Sequence, residues 1–107
     1  MNYGLRMFFK KTRTHATPME QFLHRAELNS DERAVLEVYL TGLVQGLDAA
    51  NRIFTANGKD AIFGTDQALS VQSLEALLDE FLEGRPDMKS QPLNVCAVMA
   101  MMQRFPA

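Results

Sequence analysis

Residues 35–54 decide the fold, and they read VLEVYLTGLVQGLDAANRIF. Apolar residues recur there every three or four positions, which is the spacing of one face of an α-helix. Gly42 and Gly46 lie inside this helix, where a glycine costs roughly 1 kcal/mol relative to alanine. We expect another helix to pack closely against these glycines and to offset that cost. Charged and amide side chains interrupt the apolar run, so the pattern predicts a helix of a globular domain.

The composition predicts one globular domain. The chain has 107 residues, of which 47% are hydrophobic and 22% are charged, as in ordinary folded proteins. Residues 1–16 hold four basic residues and no acidic one, so a net charge of −2 leaves −6 for the remainder. We therefore predict a basic, flexible N-terminal tail over residues 1–16 and a single helical domain over residues 17–107. The acidic domain does not favour nucleic acid as its main partner and suits a basic protein surface.

Capping and stop signals divide the domain into helices. A Thr-Pro-x-Glu sequence and an Asn-Ser-Asp-Glu sequence begin the first two, and a serine precedes the third. A glycine followed by a proline ends the third helix, and another proline opens the fourth. These signals predict an all-α fold, a compact bundle of about four helices with a long central helix. The predicted helices cover residues 17 to about 28, about 31–56, 70–84 and 92 to about 104.

The third helix carries a line of acidic residues opposite its apolar stripe. Glu75, Asp79, Glu80 and Glu83 are predicted to face outward. A solvated surface is the simpler interpretation of such a face. A docking site for a basic partner is the functional interpretation, and these residues are its candidates.

The fourth helix is apolar nearly all round, which predicts burial on more than one side. Either it lies inside the core of this chain, or another molecule covers part of it. Met99 and Met102 could fill gaps in a core or form an adaptable contact surface. Together with Gly42 and Gly46, they are the candidates for helix packing or self-association.

Residues with catalytic or metal-binding chemistry are few. His15 and His24 have no metal-ligand neighbour at a useful spacing, and no nucleophile motif is present. Cys96 lies in an apolar helix, which predicts a buried structural thiol. The sequence therefore predicts a protein that is not an enzyme and needs no metal or cofactor.

The basic tail supports an alternative function. Aromatic residues lie among its basic residues, a composition that also occurs where rings stack on bases and cations contact phosphates. The alternative is a small helical regulator, or a subunit of an assembly, that contacts nucleic acid through residues 1–16. No stretch of the sequence is long and apolar enough to predict a membrane span.

Two segments resemble the Rap/Tai-type immunity proteins. Residues 39–49, YLTGLVQGLDA, resemble a helix of that family with the pattern Y-x-x-G-hydrophobic-x-x-G. Residues 69–82, then Arg85-Pro86, then a final alanine-rich helix ending in Phe105-Pro106, resemble the second half of the family in the same order. The similarity covers most of residues 20–106.

The resemblance implies a small all-helical bacterial protein that is usually dimeric and acts by binding. Some members of that family neutralise toxins of type VI secretion, amidases that cut peptidoglycan. The expected partners are therefore a second copy of the chain and a cognate toxin or effector. The lone cysteine and the absence of a signal-peptide pattern favour the cytoplasm, whereas the resemblance implies the periplasm.

Overall fold

Four α-helices make up the fold in the computed structural model, which describes residues 17–64 and 68–107. No strand occurs in these two ranges, so the predicted all-α bundle is confirmed. No helix in the same ranges is both long and apolar enough to cross a membrane. The helices are α1 (Pro18–Leu23), α2 (Ser30–Ala56), α3 (Val71–Gly84) and α4 (Leu93–Arg104), and 3-10 turns cover Arg25–Glu27 and Pro86–Ser90.

Reciprocal side-chain hydrogen bonds fix the first ends of three helices. The Glu20 backbone N–H donates to the Thr17 hydroxyl over 3.1 Å, and the Thr17 N–H donates to the Glu20 carboxylate over 2.9 Å. Asn29 and Glu32 form the same pair at the start of α2, and Ser70 caps α3. These caps satisfy backbone donors that have no partner inside the helix, as the sequence predicted.

The first helix is shorter than predicted. It ends at Leu23, and a single 3-10 turn carries the chain to Leu28. Met19 and Phe22 are its buried residues. Leu23, the last residue of α1, and Ala26, in the 3-10 turn, are exposed.

The core forms around α3, which packs against both α2 and α4. Leu74 and Leu78 of α3 are completely buried, as are Leu36 and Leu40 of α2. Burial of side chains of this size contributes roughly 1.5–3 kcal/mol each. The buried residues are Met19, Phe22, Leu36, Leu40, Leu47, Phe63, Leu74, Leu78, Phe81, Leu82, Met88, Leu93, Cys96, Ala97, Ala100 and Met101.

The loop after α2 is attached to that helix by one amide side chain. The side-chain oxygen of Asn51 accepts hydrogen bonds from the backbone N–H groups of Ile62, at 2.7 Å, and Phe63, at 3.2 Å. The Asn51 amide nitrogen donates to the Phe63 carbonyl over 3.2 Å. These bonds hold the Phe63 ring in the core, where it is 4% exposed.

The same loop contacts the segment that follows α4. The Gly64 N–H donates to the Phe105 carbonyl over 2.7 Å. A Cβ atom at position 64 would lie 2.8 Å from the Pro106 carbonyl oxygen. Close approach of two backbones therefore requires glycine at this position.

Candidate functional site

Gly42 and Gly46 are exposed and do not contact another helix of this domain. A Cβ atom built at either position meets no atom within 4 Å from the part of the chain that the structure describes, beyond its own helix. The prediction that a neighbouring helix of the same chain packs closely against them is therefore wrong. Their part in self-association stays a prediction.

The two glycines belong to a larger exposed face of α2, which we call the α2 stripe. At about 100° of rotation per residue, its members fall within an arc of about 80° on the helix. The larger side chains on it are well exposed, at 62% for Val35, 74% for Val38 and 58% for Ile53. The α2 stripe consists of Val35, Val38, Gly42, Gly46, Ala49 and Ile53.

The fourth helix is buried on one face only. Its opposite face is also apolar, and Val95, Met99 and Met102 remain 42%, 37% and 47% exposed. Among the residues that the structure describes, no other element covers this face, which does not favour the alternative of an α4 wholly inside the core of this chain. The alternative, in which another molecule covers it, stays a prediction.

A shallow groove of about 270 Å³ joins the two exposed faces. Since the groove lining is apolar apart from Asn94, the α2 stripe and the outer face of α4 form one continuous surface, which we call the α2–α4 surface. Exposed apolar patches of several hundred Å² commonly mark interaction sites. The groove is lined by Gly42, Leu43, Gly46 and Leu47 of α2 and by Asn94, Val95 and Val98 of α4.

Glu75, predicted to face a partner, is engaged inside the domain. Its carboxylate lies 3.0 Å from the Arg25 guanidinium and 2.7 Å from that of Arg33. The same two arginines also pair with Asp79 and Glu37. Only 15% of the Glu75 side chain is exposed. The prediction of an outward-facing Glu75 is wrong, because the 3-10 turn and α2 bring two cations onto this face of α3.

Arg25 is the centre of this ion-pair cluster. Its guanidinium lies 4.1 Å from the centroid of the Phe22 ring and donates to the Phe22 carbonyl over 2.9 Å. It also pairs with Asp79 over 2.5 Å. Glu75 is thus largely covered by its two cationic partners, whereas Asp79 has one partner and keeps 53% of its side chain exposed.

Asp79, Glu80 and Glu83 stay exposed as predicted, and of these Asp79 pairs with Arg25. Glu80 lines a second groove, between α3 and α4, together with Arg104 and Phe105. This groove has a volume of about 340 Å³ and mixed polar and apolar walls. The acidic candidates are thus divided: Glu75 and Asp79 belong to the ion-pair cluster, Glu80 lies at a groove edge, and Glu83 lies on the exposed face of α3.

The reactive residue types are dispersed in the described ranges. Cys96 is completely buried, its thiol donates to the Met88 carbonyl over 3.4 Å, and burial raises the pKa of that thiol. His24 is exposed and lies 3.7 Å from Glu27. Within residues 17–64 and 68–107, no group of three or more His, Cys, Asp or Glu residues could hold a metal ion. His15 and the basic tail lie outside the described residues.

Sequence reasoning missed the Arg25–Arg33 cluster and the role of Asn51. The capping signals around residues 17–32 were visible, but nothing in the sequence showed that these arginines would meet α3.

Comparison of the chain with protein-family models, curated proteins and solved structures finds no match. The resemblance to immunity proteins therefore rests on the residues quoted for it, and the site rests on the geometry of the α2–α4 surface.

Proposed function

We propose that this chain is a non-enzymatic binding protein of the immunity type. It forms a homodimer and neutralises a toxin or hydrolase effector by covering part of the effector's surface. The observation that carries this proposal is the α2–α4 surface, where apolar side chains from two helices remain exposed around one groove. Leaving such a surface in water is unfavourable, whereas covering it with another protein stabilises the complex.

The acidic residues that remain exposed supply a second contact region for a basic effector. Glu80 lies at the edge of the α3–α4 groove, and Glu83 is exposed one helical turn further along α3. Charges at the rim of an interface mainly raise the association rate and the specificity. Glu75 and Asp79 support this region indirectly, because their ion pairs fix α3 against α2 and the 3-10 turn.

Growth protection tests this proposal. The genes beside that of this chain are searched for a hydrolase toxin, a candidate is co-expressed with the chain, and binding of the two purified proteins is measured by calorimetry. We expect protection from the toxin and a complex of micromolar affinity or better. A toxin that still kills, together with no measurable binding at 100 µM or so, would overturn the immunity proposal.

A charge-reversal pair locates the effector contact. Glu80→Lys/Glu83→Lys should weaken effector binding at least tenfold through a slower association rate. The matched control is Glu27→Lys/Asp60→Lys, which changes the net charge equally at two exposed positions outside α3. Equal loss of affinity in both variants would show that net charge, and not this region, governs binding.

The tail supports a second proposal, contact with nucleic acid. Residues 1–16 hold four basic residues, no acidic one and several aromatic rings. Binding to single-stranded DNA or RNA should weaken steeply with added salt and vanish when residues 1–16 are deleted. Absence of binding at 20 mM salt or so would exclude this function.

A further inference from the structure

Building on the proposed homodimer, we infer that the α2 stripe packs antiparallel against the α2 stripe of a second copy. The twofold axis then passes beside α2 between Gly42 and Gly46. In this arrangement the α2 helix of each copy sits in the α2–α4 groove of the other. The groove of one copy, whose wall is formed by its own α2, is thus occupied by α2 of the second copy.

The order of side chains along the stripe is self-complementary. Antiparallel pairing about the level of residue 44 places Val35 opposite Ile53, Val38 opposite Ala49 and Ala50, and Gly42 opposite Gly46. A twofold interface requires this reciprocity, since each patch must fit itself. Large side chains then meet small ones or lie at the ends, and the glycines meet at the crossing point. With no Cβ atoms there, the helices can approach more closely than the usual 8–10 Å or so.

Helix dipoles favour the antiparallel arrangement over a parallel one. In the antiparallel pair the positive first end of each α2 lies near the negative last end of the other, whereas a parallel pair would place like ends together.

The available area is sufficient for a specific dimer. The exposed side chains of the α2 stripe and of Val95, Met99 and Met102 present on the order of 500 Å² of apolar surface per copy. Two copies would bury about 1,000–1,200 Å², which reaches the lower range of specific interfaces. Coverage of the outer face of α4 would also complete the burial that its apolar sequence predicts.

Single cysteines test the orientation. Positions 35 and 53 lie about 27 Å apart along α2, at about 1.5 Å per residue. A disulfide requires Cα atoms within about 7 Å of each other. Val35→Cys and Ile53→Cys should each fail to cross-link with themselves under mild oxidation, whereas an equimolar mixture should form the mixed disulfide dimer. The wild-type chain, whose Cys96 is buried, is the control.

A glycine substitution tests the crossing point. Gly42→Glu should raise the dimer dissociation constant at least 100-fold and leave the fold intact, because a Cβ atom at this position meets nothing in the described part of its own chain. Gly84→Glu is the matched control, since position 84 is equally open but lies at the end of α3. The control should dimerise like the wild type in light scattering.

The outcomes separate this inference from the proposed function. A wild-type dimer in which each cysteine variant cross-links with itself, or in which Gly42→Glu stays dimeric, would overturn the antiparallel stripe and leave the homodimer proposal standing. A wild-type monomer at 500 µM or so would overturn both the inference and the homodimer. Effector binding is measured separately, so its failure would bear on the immunity proposal alone.

Discussion

Asn51 is the residue that attaches the loop after α2 to that helix. Its side chain accepts hydrogen bonds from the backbone N–H groups of Ile62 and Phe63 and donates one to the Phe63 carbonyl. These backbone groups are partly buried. We expect Asn51→Ala to lower the free energy of unfolding by about 1–3 kcal/mol, because backbone groups would lose their partners without regaining water. Urea unfolding measures the change.

Asn57→Ala is the control for this prediction. The Asn57 side chain donates to the Ile53 carbonyl at the exposed end of the same helix, over 2.8 Å. Its loss should cost less than about 1 kcal/mol, since water can replace the bond. If both variants were equally stable, the Asn51 hydrogen bonds would not be what fixes the loop.

Gly64 and Gly42 should respond to alanine in opposite ways. Gly64→Ala places a Cβ atom 2.8 Å from a backbone oxygen, so we expect a loss of about 1–3 kcal/mol. Gly42→Ala places a Cβ atom in open space on a helix and should gain up to about 1 kcal/mol in the monomer. Thermal unfolding at low protein concentration measures both. A stabilised Gly64→Ala would mean that the Pro106 segment moves aside freely.

These glycines show what a sequence can reveal at the scale of a residue. The sequence locates Gly42 and Gly46 inside a helix and predicts the cost of their presence. It does not reveal which atoms lie opposite, because that depends on how distant segments meet. Close backbone approach occurs within this domain at Gly64, which lies in a loop without a periodic pattern.

At the scale of elements, the Glu75 cluster joins the 3-10 turn, α2 and α3. Glu75→Gln removes the charge that pairs with Arg25 and Arg33. We expect it to lower the free energy of unfolding by about 1–2 kcal/mol, since the pairs are partly shielded from water. The difference in stability between the two proteins should shrink in 1 M salt or so, because dissolved ions screen the ion pairs of the wild type.

Glu83→Gln is the matched control on the same helix. Glu83 is exposed, so its substitution should change the free energy of unfolding by less than about 0.5 kcal/mol. Urea unfolding of both variants at low and high salt makes the comparison. Equal stability of Glu75→Gln and Glu83→Gln would contradict a structural role for the cluster.

The capped first ends of the helices were predictable from sequence, whereas contacts between helices were not. The Thr17–Glu20 and Asn29–Glu32 caps join residues three positions apart, so local sequence determines them. The Arg33–Glu75 pair joins residues 42 positions apart. Helical periodicity placed Glu75 on the outer side of α3, but it carried no information about which segment would cover that side.

At the scale of the whole molecule, burial of two weak acids predicts loss of stability at alkaline pH. Burial raises the pKa of Cys96, and burial also raises the pKa of Tyr39 against the opposing effect of a hydrogen bond to the Asn94 backbone. The folded chain therefore keeps these protons to a higher pH than the unfolded chain does. Since the unfolded state binds fewer protons, the free energy of unfolding should fall as pH rises above about 8.5.

Urea unfolding between pH 7 and 10.5 or so tests this alkaline effect. Cys96→Ala should remove the part of the decline that begins near the ordinary thiol pKa, and the part due to Tyr39 should remain at higher pH. Cys96→Ala also leaves a small cavity, which lowers stability equally at every pH. The slope is therefore the informative quantity, and a slope unchanged by Cys96→Ala would contradict the prediction.

The buried thiol of Cys96 also allows opening of the core to be measured by thiol labelling. Cys96 is the one cysteine in the sequence and is 0% exposed. Because the thiol is completely buried, a thiol reagent reaches it only when the packing around α4 opens. The labelling rate in native buffer, divided by the rate for an unfolded thiol, gives the population of that opened state. Because the reporter lies directly behind the α2–α4 surface, slower labelling at higher protein concentration would show association acting on the core.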